Sequence, residues 1–169
     1  FSSLAQDYAQ AHGWMKQREV GRMVALIGDA EMDEGNIYEA LIEGWKQGLR
    51  NCWWIVDYNR QSLDAVVREG LWAKFEGMFR GFGWDVVVLR HGRIQQQAFA
   101  EPGGARLRKW IEDCTNQLYS ALTFKGGAAW RERLLADLAD DRQARALIER
   151  RDDAALAALM TNLGGHDLP

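Results

Sequence analysis

Cysteine and proline are both scarce, with two of each in 169 residues. Two cysteines, Cys52 and Cys114, cannot build a disulfide framework, and no secretory apolar segment opens the chain. Both features predict a reducing, cytoplasmic setting. Long apolar runs are missing too. The stretches Cys52 to Val56 and Ala154 to Met160 fall far short of the ~20 residues that cross a bilayer, so no membrane-spanning helix is expected. Nor does one sign of charge dominate: 21 basic against 24 acidic side chains leave −3, too little to draw the chain to nucleic acid or an anionic membrane. What remains is an ordinary globular composition, 47% hydrophobic and 27% charged, in a chain long enough to bury a core. It begins with Phe1, inside a helical pattern, which predicts a piece of something longer.

Phe1, Leu4, Tyr8 and Ala11 recur at spacings of three and four, the period of an amphipathic helix that Gly13 ends. The runs Met23 to Ile27 and Cys52 to Val56 read as buried strands, each closed by polar residues. Between them Ile37, Leu41 and Trp45 mark a helix, with Asn36 as N-cap and Gly48 as C-terminal stop. Leu71, Phe75, Met78 and Phe79 mark the next helix, ended by Gly81 and Gly83, and Trp84 to Leu89 reads as a third strand. This alternation predicts an α/β fold: a parallel sheet with helices on both faces, truncated. In a strand so covered, Trp53 and Trp54 are both core, and Trp45, Trp72, Trp84 and Trp110 belong to apolar stripes.

After Arg90 the β signal fades. Leu107, Ile111, Cys114, Leu118 and Leu122 carry one helical stripe, and Arg131 to Asp153 holds thirteen charged residues of twenty-three, read as solvated helix faces. The expected organisation is a single partial domain over 1–169, with an α/β core at 1–92 and a mainly helical extension at 93–169.

Six carboxylates lie between Met23 and Trp45 (Asp29, Glu31, Asp33, Glu34, Glu39, Glu43), with no lysine or arginine among them. Asp29 follows the first strand and Asn59 the second. Both therefore fall at the carboxyl edge of the sheet, where open α/β folds build ligand sites. Oxygen ligands from Asp and Asn, with a main-chain carbonyl, suit a hard ion such as Mg²⁺ or Ca²⁺, and the neighbouring helix start suits a phosphate. Taken alone, an Asp at this position is also an ordinary turn former. The spaced pair is the informative feature.

Gly28-Asp29-Ala30, followed by Asp57-Tyr58-Asn59, resembles the thiamine diphosphate motif of the transketolase superfamily. The strings GDAEMDEGNIYEALIEGWKQGLRN and DYNRQSLD, together with FEGMFRGFGWDVV and the terminal NLGGHD, resemble the homodimeric pyruvate dehydrogenase first component. The likeness is weakest from Gln95 to Ala158.

The resemblance implies thiamine diphosphate and Mg as cofactors. Asp29 and Asn59 are then side-chain metal ligands, and Gln61 is a ligand through its main-chain carbonyl. Gly28, Ala30 and Glu31 line the diphosphate with Asp29 and Asn59 beside them. Two departures stand out: Ala30 replaces the family's second glycine, and Asp57 stands where the dehydrogenases carry Asn. Ala30 is tolerated if its φ is negative.

The glutamate that activates the cofactor belongs, in that family, to a second, pyrimidine-binding domain from a partner subunit. No catalytic residue is therefore assigned here, and the chain alone is expected to be silent. His12, His91 and His166 fall outside the family motifs and read as surface or structural. A homo-oligomer is the expected state. A transketolase-like segment and a non-catalytic interaction module that keeps the fold are the competing readings.

Overall fold

A computed structural model describes residues 1–16, 20–60 and 66–167. Gln61, with the rest of the string through Asp64, lies outside the described residues. The chain forms two compact units, Phe1–Val86 and Val87–Pro169.

The first unit is α/β. Helix α1 (Ser2–Ala11) precedes strand β1 (Met23–Gly28), a 3-10 turn (Ala30–Asp33), helix α2 (Gly35–Lys46), strand β2 (Cys52–Asp57) and helix α3 (Leu71–Gly81). The strands pair in parallel from Met23 opposite Cys52 to Gly28 opposite Asp57, which brings the two chain exits to one edge. Ile27, Trp54 and Val56 on one face pack with Met32, Leu41 and Phe79, which are buried, and with Ile37, Phe75, Met78 and Trp84. Trp54, Phe79 and Trp84 meet edge to face, with ring centroids 6.0 to 6.5 Å apart. Gly44 admits Trp84 against α2, since a Cβ there would lie 3.0 Å from the indole.

Several expectations are corrected here. Asn36 does not cap α2. The cap position is Glu34, without a side-chain cap bond, and Asn36 lies inside the first turn. Gly48 does adopt the left-handed conformation that stops the helix, φ 61°. Trp45 is 61% exposed, because seven residues from Ile37 nearly complete two helical turns whereas eight overshoot. Gly44, not Trp45, therefore continues the inward stripe. Trp72 is also exposed, and α1 turns Ser3 and Gln6 inward while Phe1 and Tyr8 stay exposed. Gln6 exchanges hydrogen bonds with the Gly21 main chain, at 2.7 and 3.0 Å, which explains the inverted face.

Trp84 to Leu89 forms no strand, and the sheet among the described residues has two strands. Trp84 and Val86 lean on the core, while Val87, Val88 and Leu89 are exposed. The alternation of strands and helices predicts cover on both sheet faces. Instead Val24, Leu26, Trp53 and Ile55 share an exposed face, with the Arg22 guanidinium 4.1 Å from the Trp53 ring centroid.

The second unit is helical: α4 (Arg93–Phe99), α5 (Gly104–Asp113), α6 (Asn116–Lys125), α7 (Gly127–Asp137), α8 (Arg142–Glu149) and α9 (Asp153–Met160). Leu107, Trp110, Ile111, Trp130, Leu134, Leu147 and Leu156 are among its buried core. The predicted single stripe from Leu107 to Leu122 is two helices, divided where Thr115 caps α6 by accepting the Leu118 N–H. The charge-rich stretch is solvated as expected. Its acids also work locally: Asp141 caps α8, Asp152 caps α9, and Arg131 pairs with Asp153 at 2.6 Å. No described helix is long and apolar enough to cross a membrane.

Candidate functional site

β1 ends at Gly28 because the chain turns into a 3-10 segment whose Met32 is fully buried and anchors it. Asp29 stands at that bend. Its N–H donates to the Asp57 carbonyl at 3.1 Å, extending the ladder by one bond and tying the two strand exits together. The side chain points inward, and the residue is only 2% exposed. Oδ2 accepts a hydrogen bond from the Arg60 N–H at 3.0 Å; Oδ1 is buried and has no hydrogen-bond partner. Burial raises the Asp29 pKa above the usual carboxylate value. The main-chain N–H groups of Arg60, Asp29, Ala30 and Asn59 pull it back only in part.

A buried carboxylate oxygen without a partner is an expensive arrangement unless a cation completes it. Asp29 is the only one of the six local carboxylates that is buried. Glu43 pairs with Lys46 at 2.7 Å on the surface, and Asp33, Glu34 and Glu39 are exposed. Of the six, Asp29 alone is withdrawn from solvent.

Asn59 is exposed at the same edge, two residues beyond β2, and its N–H is one of the groups acting on Asp29. Gln61 lies outside the described residues. Gly28 donates its N–H to Glu31 Oε2 at 2.8 Å, so that amide is already engaged. Ala30 has negative φ, because Arg60, at 69°, is the one described non-glycine residue with positive φ. The alanine in place of glycine carries no backbone penalty here. Arg60 carries no motif-specific signal in the sequence. Nothing in its side chain announces a left-handed main chain, and only the loop position after a strand hinted at a turn.

Among the described residues no three His, Cys, Asp or Glu side chains cluster around a common point. The donor set at this edge is of another kind: one carboxylate oxygen, one carboxamide and main-chain groups. Such a set fits a hard divalent ion whose remaining ligands arrive with an anionic cofactor. The described histidines lie in other settings. His12 stacks on Tyr8, with ring centroids 3.9 Å apart, and His91 sits between Gln95 and Glu112, at 2.8 and 3.6 Å. His166 closes a short 3-10 turn.

No protein-family model matches the chain. Relatives named pyruvate dehydrogenase E1 component match it nearly end to end. The Escherichia coli K12 protein is 27% identical over 158 residues, covering 92% of this chain and 17% of that protein. The Cupriavidus necator protein is 28% identical over 169 residues, 99% of this chain and 18% of that protein. The Mycobacterium tuberculosis protein is 31% identical over 167 residues, 96% of this chain and 16% of that protein. The chain thus spans less than a fifth of the length of the relatives it matches. Over almost all of its own length, this α/β chain with a helical C-terminal half is similar to one segment of the pyruvate dehydrogenase E1 component.

Proposed function

We propose that the chain is the Mg²⁺ and thiamine diphosphate-binding segment of a 2-oxo acid dehydrogenase of the pyruvate type. The observation that carries the reading is the unpartnered, buried Asp29 Oδ1 at the edge shared by both strand exits. In this reading Asp29 and Asn59 hold the metal by their side chains and Gln61 by its main-chain carbonyl. Gly28, Ala30 and Glu31 line the diphosphate. The metal offsets the charge of Asp29 against the phosphates. Held by these residues, the cofactor would supply the carbanion-stabilising chemistry that cleavage of a 2-oxo acid requires.

The chain's own part is to bind and orient. Its parallel ladder fixes the spacing of the two exits, and the buried turn at Met32 holds the carboxylate in place. In the resembled family the activating glutamate comes from a pyrimidine-binding domain of a partner subunit, and no residue of this chain is assigned that role. Turnover therefore needs a pyrimidine-binding domain or a partner chain. The apolar sheet face supports a homo-oligomer as the state of the chain by itself.

Calorimetric titration with MgCl₂ and thiamine diphosphate tests the reading. Saturable binding is expected in the unmodified chain, with a loss of at least about tenfold in Asp29→Ala and in Asn59→Ala, on the scale of removing one ligand. An unmodified chain that binds nothing leaves only the interaction-module reading.

A further inference from the structure

We propose that Arg60 is a positioning residue: its left-handed main chain, not its guanidinium, decides which Asp29 oxygen is offered to a cation. The inference rests on the cofactor-segment reading. Arg60 has φ 69°, a conformation that costs any residue with a Cβ and that arginine has no local side-chain device to favour. A conformation of that kind persists only where surrounding contacts over-determine it.

Both main-chain polar groups of Arg60 are committed. Its N–H reaches back across 31 residues of sequence to Asp29 Oδ2 at 3.0 Å, and its carbonyl accepts the Val67 N–H at 3.0 Å. With Oδ2 held, the carboxylate cannot turn over without breaking the hydrogen bond, and Oδ1 is the oxygen left without a partner. Metal-binding carboxylates are commonly oriented in this way, by a hydrogen bond to the oxygen that does not bind. Arg60 also lies between the other two proposed ligands in sequence, Asn59 and Gln61.

The test compares Arg60→Gly, Arg60→Ala and Arg60→Val. Glycine adopts positive φ freely, alanine keeps the Cβ but lacks the guanidinium, and valine tolerates positive φ poorly. Mn²⁺ binding in the presence of thiamine diphosphate is read from the electron paramagnetic resonance of free Mn²⁺. Arg60→Ala is expected within about twofold of the unmodified chain, Arg60→Gly equal or tighter, and Arg60→Val weaker by about tenfold with its circular dichroism unchanged. Equal binding by Arg60→Val overturns the inference. Loss in both Ala and Gly variants also overturns it, because the guanidinium is then the active group.

Should the valine variant not fold, hydrogen exchange of the residue-60 amide without metal carries the test. That amide is expected to exchange slowly in the unmodified chain and at least about tenfold faster in Asp29→Ala. A fast amide in the unmodified chain overturns the inference directly. A slow amide with no Mn²⁺ bound overturns the cofactor reading, and the positioning role with it.

Discussion

Asp29 shows how one side chain can oppose folding at a position proposed to hold a metal. Its carboxyl is buried, one oxygen is unpartnered, and its pKa is raised from the ordinary value of 3.8, chiefly by loss of solvent. A raised carboxylate binds its proton more tightly folded than unfolded. Its contribution to stability is therefore best below 3.8, where both states are protonated, and it declines as pH rises through the folded value. Once pH has risen past that value, the metal-free chain carries a buried charge that weakens its α/β unit.

Asp29→Asn removes that charge and keeps an oxygen to accept the Arg60 N–H. Urea unfolding at pH 7 without metal, followed by Trp fluorescence, is expected to show the variant more stable by roughly 1 kcal/mol, the usual size of a single-site effect. The gain is expected to shrink toward pH 4 and to be accompanied by loss of Mg²⁺ and thiamine diphosphate binding. A variant less stable than the parent at pH 7 would contradict the assignment of Asp29 as a strained ligand.

At the scale of elements, the terminal NLGGHD string shows what a motif can do when chemistry does not claim it. Asn162 Oδ1 accepts the Ile94 N–H at 2.9 Å, and Asp167 Oδ2 accepts the Arg93 N–H at 2.5 Å. Together they cap α4 from some seventy residues away in sequence, doing what a local N-cap does elsewhere. Gly164 lets the segment close, since a Cβ there would meet the Leu89 main chain at 2.9 to 3.0 Å. Asn162→Ala is expected to lower the stability of the helical unit by about 1 to 2 kcal/mol. Chemical unfolding by circular dichroism, with a Thr115→Ala local-cap variant as yardstick, checks the size. A loss well below that of the yardstick would mean that the long-range cap is incidental.

This pairing could not be read from the string itself, because the partners of Asn162 are set by tertiary packing. The two strands were legible, because short apolar runs closed by polar residues have few other uses. So was the shared edge of Asp29 and Asn59, because parallel pairing brings equivalent exits together. The third strand failed because Val86 to Leu89 has β-forming side chains but finds no ladder, and propensity does not supply a partner. Trp45 and Trp53 failed because hydrophobicity says that burial is favourable without saying what is present to bury against.

For the whole molecule, the consequence of that last failure is measurable. Within the α/β unit, the apolar surface left open is concentrated on one side of the sheet.

The sheet face is its most coherent part. Val24 lies opposite Trp53 and Leu26 opposite Ile55, all four 47 to 71% exposed, with no charged side chain between them on the strands. Two such faces stack naturally at the ~10 Å spacing of packed sheets. Sedimentation velocity at micromolar concentration is expected to show a dimer or larger species. Leu26→Asp, which places a charge at the centre of the face without disturbing the buried side, is expected to move the population to monomer and to leave Mg²⁺ binding at Asp29 intact. A clean monomer in the unmodified chain, or association indifferent to the aspartate, would assign the exposed face to a different partner.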